Sequence, residues 1–370
     1  MATIAPSAFL SFTNPVGSLT QTWSELPISG LTTETFASKT RAAKTMATKT
    51  LANANFRSDG KPLAGRRIVI TGGSSGIGAA TAHKVAEAGG TAILVARSLD
   101  KLTEVRDEIV AAGGEVFIYT CDVTDEDAVE ELINTLTSEH DSIDMLVNNA
   151  GRSIRRSVKL SYDRFHDFER TMSLNYFAAV RLILGLLPHM SNNGFGHIVN
   201  ISSIGVQTNT PRFSAYVASK SALDAFSRVV AGETVGEGVT FTTIHMPLVR
   251  TPMIAPTSMY DAFPTLSPDE AADMVVRALV KRPKEIATPL GTFGEVLYTF
   301  APSVVDRIMH QAYKVFPDSL AAKGGPTTEA NDRGLTRSGE FLAKASIIVQ
   351  DQPLSRAAKT MMRLLPGIHW

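Results

Sequence analysis

Tyr216 and Lys220 stand four residues apart in a segment with helical periodicity, and their types and spacing suggest acid–base chemistry. Residues at this spacing lie on one face of a helix, so the phenol and the ammonium would be neighbours. A free phenol has a pKa of about 10, and a neighbouring positive charge favours its ionised form. Such a pair also arises by chance, so its meaning depends on the other motifs of the chain.

A glycine-rich turn begins at Thr71 and reads Thr-Gly-Gly-Ser-Ser-Gly-Ile-Gly. It follows a β-branched run and leads into a helical pattern. Glycines let the chain turn tightly and bring backbone N–H groups close to a pyrophosphate, and a helix N-terminus favours the negative charge. In this context the turn predicts a dinucleotide-binding loop, although the glycine spacing is one residue longer than in the ordinary fingerprint. The predicted cofactor contacts in this loop are Gly72, Ser74, Ser75, Gly76, Ile77 and Gly78.

Arg97 follows the second β-branched run, where an NAD-binding protein usually carries an acid for the ribose 2′-hydroxyl. A guanidinium would instead pair with a 2′-phosphate, so the sequence favours NADPH; a surface arginine beside a helix is the alternative. Asp122 and Val123, after the third run, are predicted to lie along the adenine edge. We interpret Cys121, which precedes them, as a packing residue and not as a nucleophile.

The elements that must hold these residues are short β-branched runs that alternate with longer amphipathic stretches. Continuously apolar strands separated by helices indicate a parallel sheet covered on both faces, and so an α/β, doubly wound, Rossmann-type fold. The carboxyl ends of the strands then share one edge, where ligands bind in such sheets. The predicted strands are 67–71, 91–95, 115–120, 144–148, 197–201, 239–245 and 285–288. The predicted helices are 76–88, 99–112, 125–139, 161–188, 214–235 and 268–281.

Three regions follow from this pattern. Residues 1–61 are rich in Ser, Thr and Ala and lack periodicity, which predicts a disordered extension; an organellar transit peptide is the less favoured interpretation. Residues 62–290 form the predicted nucleotide-binding domain, and residues 291–370 a C-terminal helical extension. The extension ends in a basic amphipathic piece, 355–370, which predicts either a packed helix or peripheral membrane contact.

Composition excludes several classes of protein. Lys+Arg 36 and Asp+Glu 36 give a formal net charge of zero, so no overall field favours nucleic acid. The single cysteine cannot form an intrachain disulfide or a multi-cysteine metal site, and no metal is expected. No run of about 20 apolar residues free of charge predicts a membrane-spanning helix. We therefore expect a cytoplasmic protein, with membrane association as the alternative.

Taken in order, the glycine turn, the Asn-Asn-Ala-Gly segment 148–151 and the Tyr216–Lys220 pair resemble the short-chain dehydrogenase/reductase family over residues 62–290. The resemblance implies that Tyr216 is the general acid and that Ser203, 13 residues before it, binds the substrate oxygen, with Ser202 as the adjacent alternative. It implies that Lys220 lowers the tyrosine pKa and holds the nicotinamide ribose, that Asn175 supports a proton-relay water, and that the protein is a homo-oligomer. Further implied cofactor contacts are Asn149, Ala150, Gly151, Tyr216, Lys220, Pro247, Val249 and Thr251, with Leu248 in place of the family's usual glycine.

Segments beyond these motifs are similar to the bacterial aldehyde-forming long-chain fatty acyl-CoA reductases, from about residue 62 to Trp370. They are 149–156, 165–172, 212–220, 246–256 and 366–370. The similarity implies reduction of a long-chain acyl-CoA by NADPH to a fatty aldehyde with release of CoA, a reaction that serves wax-ester storage.

Candidate substrate contacts follow from that similarity, each with a plainer alternative. Arg152, Arg155 and Arg156 are candidates for the phosphates of CoA, or else form a solvated basic loop. Met253 and Met259 are candidates for the acyl chain, or else pack in the structure. Two other functions stay open: an NADPH-dependent ketone reductase of 3-oxoacyl, steroid-like or mycolate-like lipids, and a catalytically idle NADP(H)-binding regulator. The complete set Asn175, Ser203, Tyr216 and Lys220 argues against the regulator.

Overall fold

The computed structural model describes residues 60–254, 265–316, 318 and 321–323. The predicted N-terminal extension therefore lies almost wholly outside the described residues, as do Met259 and the predicted amphipathic piece 355–370.

Seven parallel strands form one sheet in the order β3-β2-β1-β4-β5-β6-β7. The strand order reverses between β1 and β4, and ligands bind at such a switch point in doubly wound sheets. The predicted fold class is confirmed, and the strands begin and end within two residues of the predicted positions. They are β1 (Arg67–Thr71), β2 (Thr91–Ala96), β3 (Val116–Thr120), β4 (Met145–Asn148), β5 (Gly196–Ile201), β6 (Val239–Ile244) and β7 (Glu285–Ile286).

Helices cover both faces of this sheet. They are α1 (Gly76–Glu87), α2 (Leu99–Ala111), α3 (Glu126–Glu139), α4 (His166–Met172), α5 (Ala178–Asn192), α6 (Ile204–Thr208), α7 (Ser214–Glu233), α8 (Pro268–Lys281), α9 (Pro289–Phe300) and α10 (Pro302–Val315). Side chains alternate between the two faces along a strand, so both faces need apolar residues. In β1, Ile68 and Ile70 pack with α1, α2 and α8, whereas Val69 packs with α3, α5 and α7. This double burial explains why the strands are continuously apolar.

The predicted helix 161–188 is a compound element that begins five residues later. Helix α4 continues through a π-helical turn, Ser173–Phe177, into α5. By length and composition, His166–Asn192 is the one described helical stretch that meets the criteria for crossing a membrane, and 39% of its most apolar window is buried. Helices that cover the sheet of a soluble protein meet the same criteria, and Leu182 and Leu186 of this stretch lie in the core. The finding is therefore weak evidence for a membrane span.

The C-terminal extension begins with two helices where the sequence predicts one helical region. The helical path breaks at Ala301 because Pro302 has no N–H to donate, and Pro302 then occupies the first turn of α10. Helix α9 packs against the short helix α6, which the sequence did not predict. The guanidinium of Arg212 pairs with Asp318 at 3.1 Å and stacks on the ring of Tyr313, so the extension contacts the loop before α7.

Candidate active site

A cleft of about 380 Å³ opens at the carboxyl ends of the central strands. It lies beside the N-terminus of α1, the loops after β4 and β6, and the first turns of α7. Most of the residues predicted to bind or react meet here. The predicted residues that line it are Gly72, Ser75, Gly76, Ile77, Asn149, Ala150, Gly151, Arg152, Ser203, Tyr216, Lys220, Pro247, Val249, Thr251 and Met253.

Helix α7 places Tyr216 and Lys220 one turn apart on the wall of the cleft. Tyr216 is hydrogen-bonded to the hydroxyl of Ser203. The ammonium of Lys220 is buried and donates to the backbone carbonyl of Ile201 at 2.7 Å. The structure thus brings the phenol, the hydroxyl and the ammonium together, as the spacing predicts.

Burial is the main influence on the ionisation of Tyr216 and Lys220. It raises the pKa of Tyr216, and the hydrogen bond from Ser203 opposes that rise only in part. Burial lowers the pKa of Lys220 to about 8, although the charge of Asp224 opposes the change. The family resemblance implies that Lys220 lowers the pKa of Tyr216. In the structure the pKa of Tyr216 is raised instead, because burial outweighs the hydrogen bond with Ser203. A phenol that stays protonated at neutral pH is suited to donate a proton.

The two adjacent serines have different surroundings. Ser203 caps the N-terminus of α6 by accepting a hydrogen bond from the backbone N–H of Gly205 at 3.0 Å, and its hydroxyl also reaches Tyr216. Ser202 is 2% exposed and donates to Asp224 at 2.8 Å. The geometry favours Ser203 over Ser202 as the partner of the phenol.

Asn175 lies in the π-helical turn and is buried next to the cleft. Its Oδ1 accepts a hydrogen bond from the backbone N–H of Arg152 at 2.8 Å, and its Nδ2 donates to the carbonyl of Arg152 at 2.9 Å. Nδ2 also donates to Ser219 at 2.9 Å. Gly151 faces both Asn175 and Lys220, since a Cβ there would lie 3.1 Å and 3.4 Å from their polar atoms. Asn175 therefore fixes the loop after β4 against α7.

The glycine turn makes a close cradle that has no room for side chains. A Cβ on Gly78 would collide with the carbonyl oxygen of Gly72 and with the amide of Asn149. Gly72 and Gly76 have φ values of 66° and 55°, which side chains disfavour. Ser75 precedes α1 but makes no side-chain cap, so its hydroxyl leaves the first N–H groups of that helix open to a ligand. Ser74 lies in the same turn. This arrangement fits the pyrophosphate of a dinucleotide.

The residues predicted for the adenosine end lie at the ends of β2 and β3. Arg97 is 79% exposed, and its guanidinium stands 3.8 Å from the carboxylate of Asp122. Hydrogen bonds from Thr124 lower the pKa of Asp122. Val123 is buried. Cys121 is buried as well, and burial raises the pKa of its thiol to about 11, so it is no activated nucleophile.

Only some of the residues predicted to contact the substrate line the cleft. Arg152 and Met253 line the cleft, and Met253 is 51% exposed. Arg156 is engaged inside the protein, where it pairs with Asp167 at 3.0 Å and donates to the carbonyl of Ala322. Arg155 lies in the same loop.

A buried polar cluster behind the serines was not predicted from the sequence. His245 stands 3.0 Å from Glu285 and 3.8 Å from Asp224, whose other contact is the hydroxyl of Ser202. Burial alone would lower the pKa of His245, but its hydrogen bond to Glu285 and the charge of Asp224 outweigh burial and raise it. The one available signal is that Asp224 follows Lys220 by four residues, on the same helical face.

Comparisons with known proteins agree with this geometry. Residues 66–260 match the family profile described as short chain dehydrogenase. The chain is 48% identical over 308 residues to a fatty acyl-CoA reductase of Acinetobacter baylyi, covering 83% of this chain and 96% of that protein. It is also 48% identical over 311 residues to an uncharacterized oxidoreductase of Mycobacterium tuberculosis, covering 83% of this chain and 85% of the relative. A solved metagenomic short-chain oxidoreductase in complex with NADP is similar with a TM-score of 0.53 and 30% identity, covering 61% of this chain and 96% of that one. These similarities confirm the resemblances that the motifs predicted.

Proposed function

Because this chain belongs to the short-chain dehydrogenase/reductase family, we propose that it is an NADPH-dependent reductase that converts long-chain fatty acyl-CoA to a fatty aldehyde and free CoA. The choice of substrate rests on the 48% identity to the Acinetobacter baylyi fatty acyl-CoA reductase, which extends over 96% of that protein. The cleft supports the proposal because it joins a hydroxyl, a phenol and an ammonium beside a dinucleotide cradle.

The proposed cofactor contacts are those predicted from the sequence, and the cradle fits them. Arg97 is the residue that favours NADPH over NADH, since its exposed guanidinium suits a 2′-phosphate. When bound, NADPH supplies the hydride that reduces the thioester carbon. The remaining proposed contacts are Gly72, Ser74, Ser75, Gly76, Ile77, Gly78, Asp122, Val123, Asn149, Ala150, Gly151, Tyr216, Lys220, Pro247, Val249 and Thr251.

In the proposed reaction, Ser203 and Tyr216 donate hydrogen bonds to the carbonyl oxygen of the thioester. These bonds stabilise the negative charge that develops as the carbonyl carbon becomes tetrahedral. Tyr216 is the proton donor, because its raised pKa keeps the phenol protonated at neutral pH. The ammonium of Lys220 stabilises charge on the phenol oxygen, and Asn175 holds the neighbouring loop in place.

The tetrahedral carbon then bears both the former carbonyl oxygen and the sulfur of CoA. As the C=O bond re-forms, Tyr216 recovers its proton, the C–S bond breaks, and the thiolate leaves with the bonding electron pair. A thiol has a pKa of about 8 to 9, so the thiolate leaves without an acid and takes a proton from solvent. One thioester, one hydride and one proton thus give one aldehyde and one thiol. The buried Cys121 takes no part.

The proposal keeps three expectations of the sequence analysis. We expect a homo-oligomer and a cytoplasmic location, with peripheral membrane contact through residues 355–370 as the alternative to a packed helix there. Gel filtration and sedimentation with phospholipid vesicles, each with and without those residues, test these expectations.

The test of the proposed function is to incubate the purified chain with NADPH and palmitoyl-CoA while following cofactor absorbance and free thiol together. We expect one thiol for each NADPH consumed, with the aldehyde captured by a hydrazine. Tyr216→Phe should reduce both signals by about 10²- to 10⁴-fold while NADPH binding is retained. Loss of NADPH without thiol would contradict the proposal and favour the ketone reductase.

A further inference from the structure

Arg152 places a positive charge on the wall of the cleft. Arg152 lines the cleft and is partly exposed, and among the described residues its guanidinium has no hydrogen bond or ion pair. The other cation among the described lining residues is Lys220, whose ammonium is buried against the carbonyl of Ile201. No Asp or Glu occurs in that described lining. Of the two cations in that described lining, Arg152 is therefore the more accessible to an anionic group.

Arg170 adds a second weakly compensated charge on the same side. Its guanidinium acts electrostatically on Arg152, and it reaches Asp167 only at 4.0 Å. The carboxylate of Asp167 is already occupied, because Arg156 and Arg164 pair with it at 3.0 Å and 3.4 Å. One carboxylate thus serves three guanidinium groups, and its charge also acts on Arg152, so Arg170 shares its counter-ion with other cations. Arg170 is also 52% exposed, so a ligand can approach it from solvent.

The backbone of Arg152 is held in place, whereas its guanidinium makes no hydrogen bond or ion pair with the described residues. Both backbone polar groups of Arg152 bind the amide of Asn175, at 2.8 Å and 2.9 Å. A planar guanidinium held on a fixed backbone suits a multiply charged oxyanion such as a phosphate, which it can bind through two N–H groups. It also suits a substrate whose charged part lies away from its reacting carbon, since binding such a part positions the reacting carbon.

We propose that Arg152 and Arg170 form the binding site for the phosphate groups of the CoA nucleotide. This site rests on the proposed function, which makes acyl-CoA the substrate. It would distinguish acyl-CoA from an uncharged thioester with the same acyl chain. Arg156 and Arg164 contribute indirectly, because they pair with Asp167 and so compete with Arg170 for its carboxylate.

The kinetic test compares three palmitoyl thioesters, those of CoA, dephospho-CoA and pantetheine. Arg152→Ala should raise the KM for palmitoyl-CoA by about tenfold or more, since a hydrogen bond to a charged group is lost. The KM for palmitoyl-pantetheine, which has no phosphate, and the KM for NADPH should stay within about twofold. Arg170→Ala should act in the same direction with a smaller effect, and Arg152→Lys should recover part of the loss. Arg106→Ala, which removes an exposed arginine paired with its neighbour Asp107 on α2, is the matched control.

Two kinetic outcomes would overturn the site. An equal rise in KM for palmitoyl-CoA and palmitoyl-pantetheine would show that Arg152 acts on the thioester or on folding. A raised KM for NADPH, with the thioester values unchanged, would assign the arginines to the phosphates of the cofactor.

A binding measurement separates this site from the proposed reaction. Titration of the chain with adenosine 3′,5′-bisphosphate, followed by calorimetry, requires no turnover. We expect binding by the wild type and by Arg106→Ala, and a loss of about tenfold or more in Arg152→Ala. If this ligand binds but no thioester is reduced, the proposed function fails and the phosphate site stands. If Arg152→Ala binds the ligand as tightly as the wild type, the site fails whatever the enzyme reduces.

Discussion

At the residue scale, burial brings the ionisation of Lys220 close to neutral pH. Burial lowers the pKa of its ammonium to about 8, and the negative charge of Asp224, one turn further along α7, opposes this change. The phenol of Tyr216 has a raised pKa and stays protonated across the neutral range. The proposed reaction therefore loses its ammonium before it loses its proton donor as the pH rises.

A pH profile tests this order of ionisation. Because Lys220 is charged below its pKa and neutral above it, kcat/KM for reduction should be level below about pH 8 and fall as the pH rises through about 8. Asp224→Asn should move this alkaline limb to lower pH, because the charge that stabilises the ammonium is removed. Asp107→Asn, on the exposed face of α2, is the control that should leave the limb in place. If the alkaline limb stays at the same pH in Asp224→Asn, Asp224 does not stabilise the ammonium of Lys220.

The sequence predicted which side chains meet in the cleft but not how they ionise. Helical spacing predicts that Tyr216 and Lys220 are neighbours, the family resemblance adds Ser203, and the three side chains meet in the cleft. The direction of the tyrosine pKa was missed because burial depends on the whole tertiary environment. The cluster of Asp224 and His245 was missed because it joins α7 to the end of β6, and no local pattern connects them.

At the element scale, the π-helical turn at Ser173–Phe177 shows what periodicity cannot resolve. A π turn adds one residue without interrupting the helix, so the apolar pattern around it still indicates a single helix. The extra residue places Asn175 where its amide holds both backbone groups of Arg152. Pro302, by contrast, marks the start of α10 in the sequence itself.

Two glycine-to-alanine substitutions, one in the glycine cradle and one near the end of α7, form a matched pair. Gly78→Ala should destabilise the protein by about 1–3 kcal/mol and weaken NADPH binding, since the added Cβ collides with the backbone of Gly72. Gly232→Ala lies near the end of α7, where a Cβ meets nothing within 4 Å. It should be neutral or stabilise by up to about 1 kcal/mol, because alanine favours the helix. Urea unfolding and NADPH titration measure both effects. A tolerated Gly78→Ala would contradict the close packing of the cradle.

At the scale of the whole molecule, Arg212 connects the C-terminal extension to the loop that leads into α7. Its side chain is 7% exposed and pairs with Asp318, which is 11% exposed. It also donates to the carbonyl of Tyr313 at 2.9 Å. Arg212 adopts a φ of 73°, a conformation that side chains rarely adopt, so these contacts hold a strained residue.

Breaking this contact should be costly. Arg212→Ala leaves the carboxylate of Asp318 buried without its ion-pair partner, although the backbone N–H of Ser157 still donates to it at 3.0 Å, so we expect a loss of about 3 kcal/mol in urea unfolding. The double variant Arg212→Ala with Asp318→Ala should lose less than the sum of the single variants, because the two residues share one ion pair. The exposed Arg106→Ala should change stability by less than about 1 kcal/mol. Additive losses in the double variant would show that Arg212 and Asp318 are not coupled.

The whole-molecule architecture was predictable in part. Apolar runs separated by helical stretches predict a doubly wound parallel sheet, and the sheet of seven strands confirms it. The attachment of the extension was not predictable, because Arg212 and Asp318 are 106 residues apart in the chain. Contacts over such separations leave no periodic signal.

The most direct test of the account follows the hydride itself. The chain is incubated with palmitoyl-CoA and NADPH deuterated at its transferable position, and the trapped aldehyde is analysed by mass spectrometry. We predict one deuterium on the former thioester carbon of each aldehyde, an equal amount of free CoA, and about 10²- to 10⁴-fold less of both products with Tyr216→Phe. Aldehyde without deuterium, or deuterium in a product that still carries its CoA thioester, would contradict the proposed reduction of acyl-CoA.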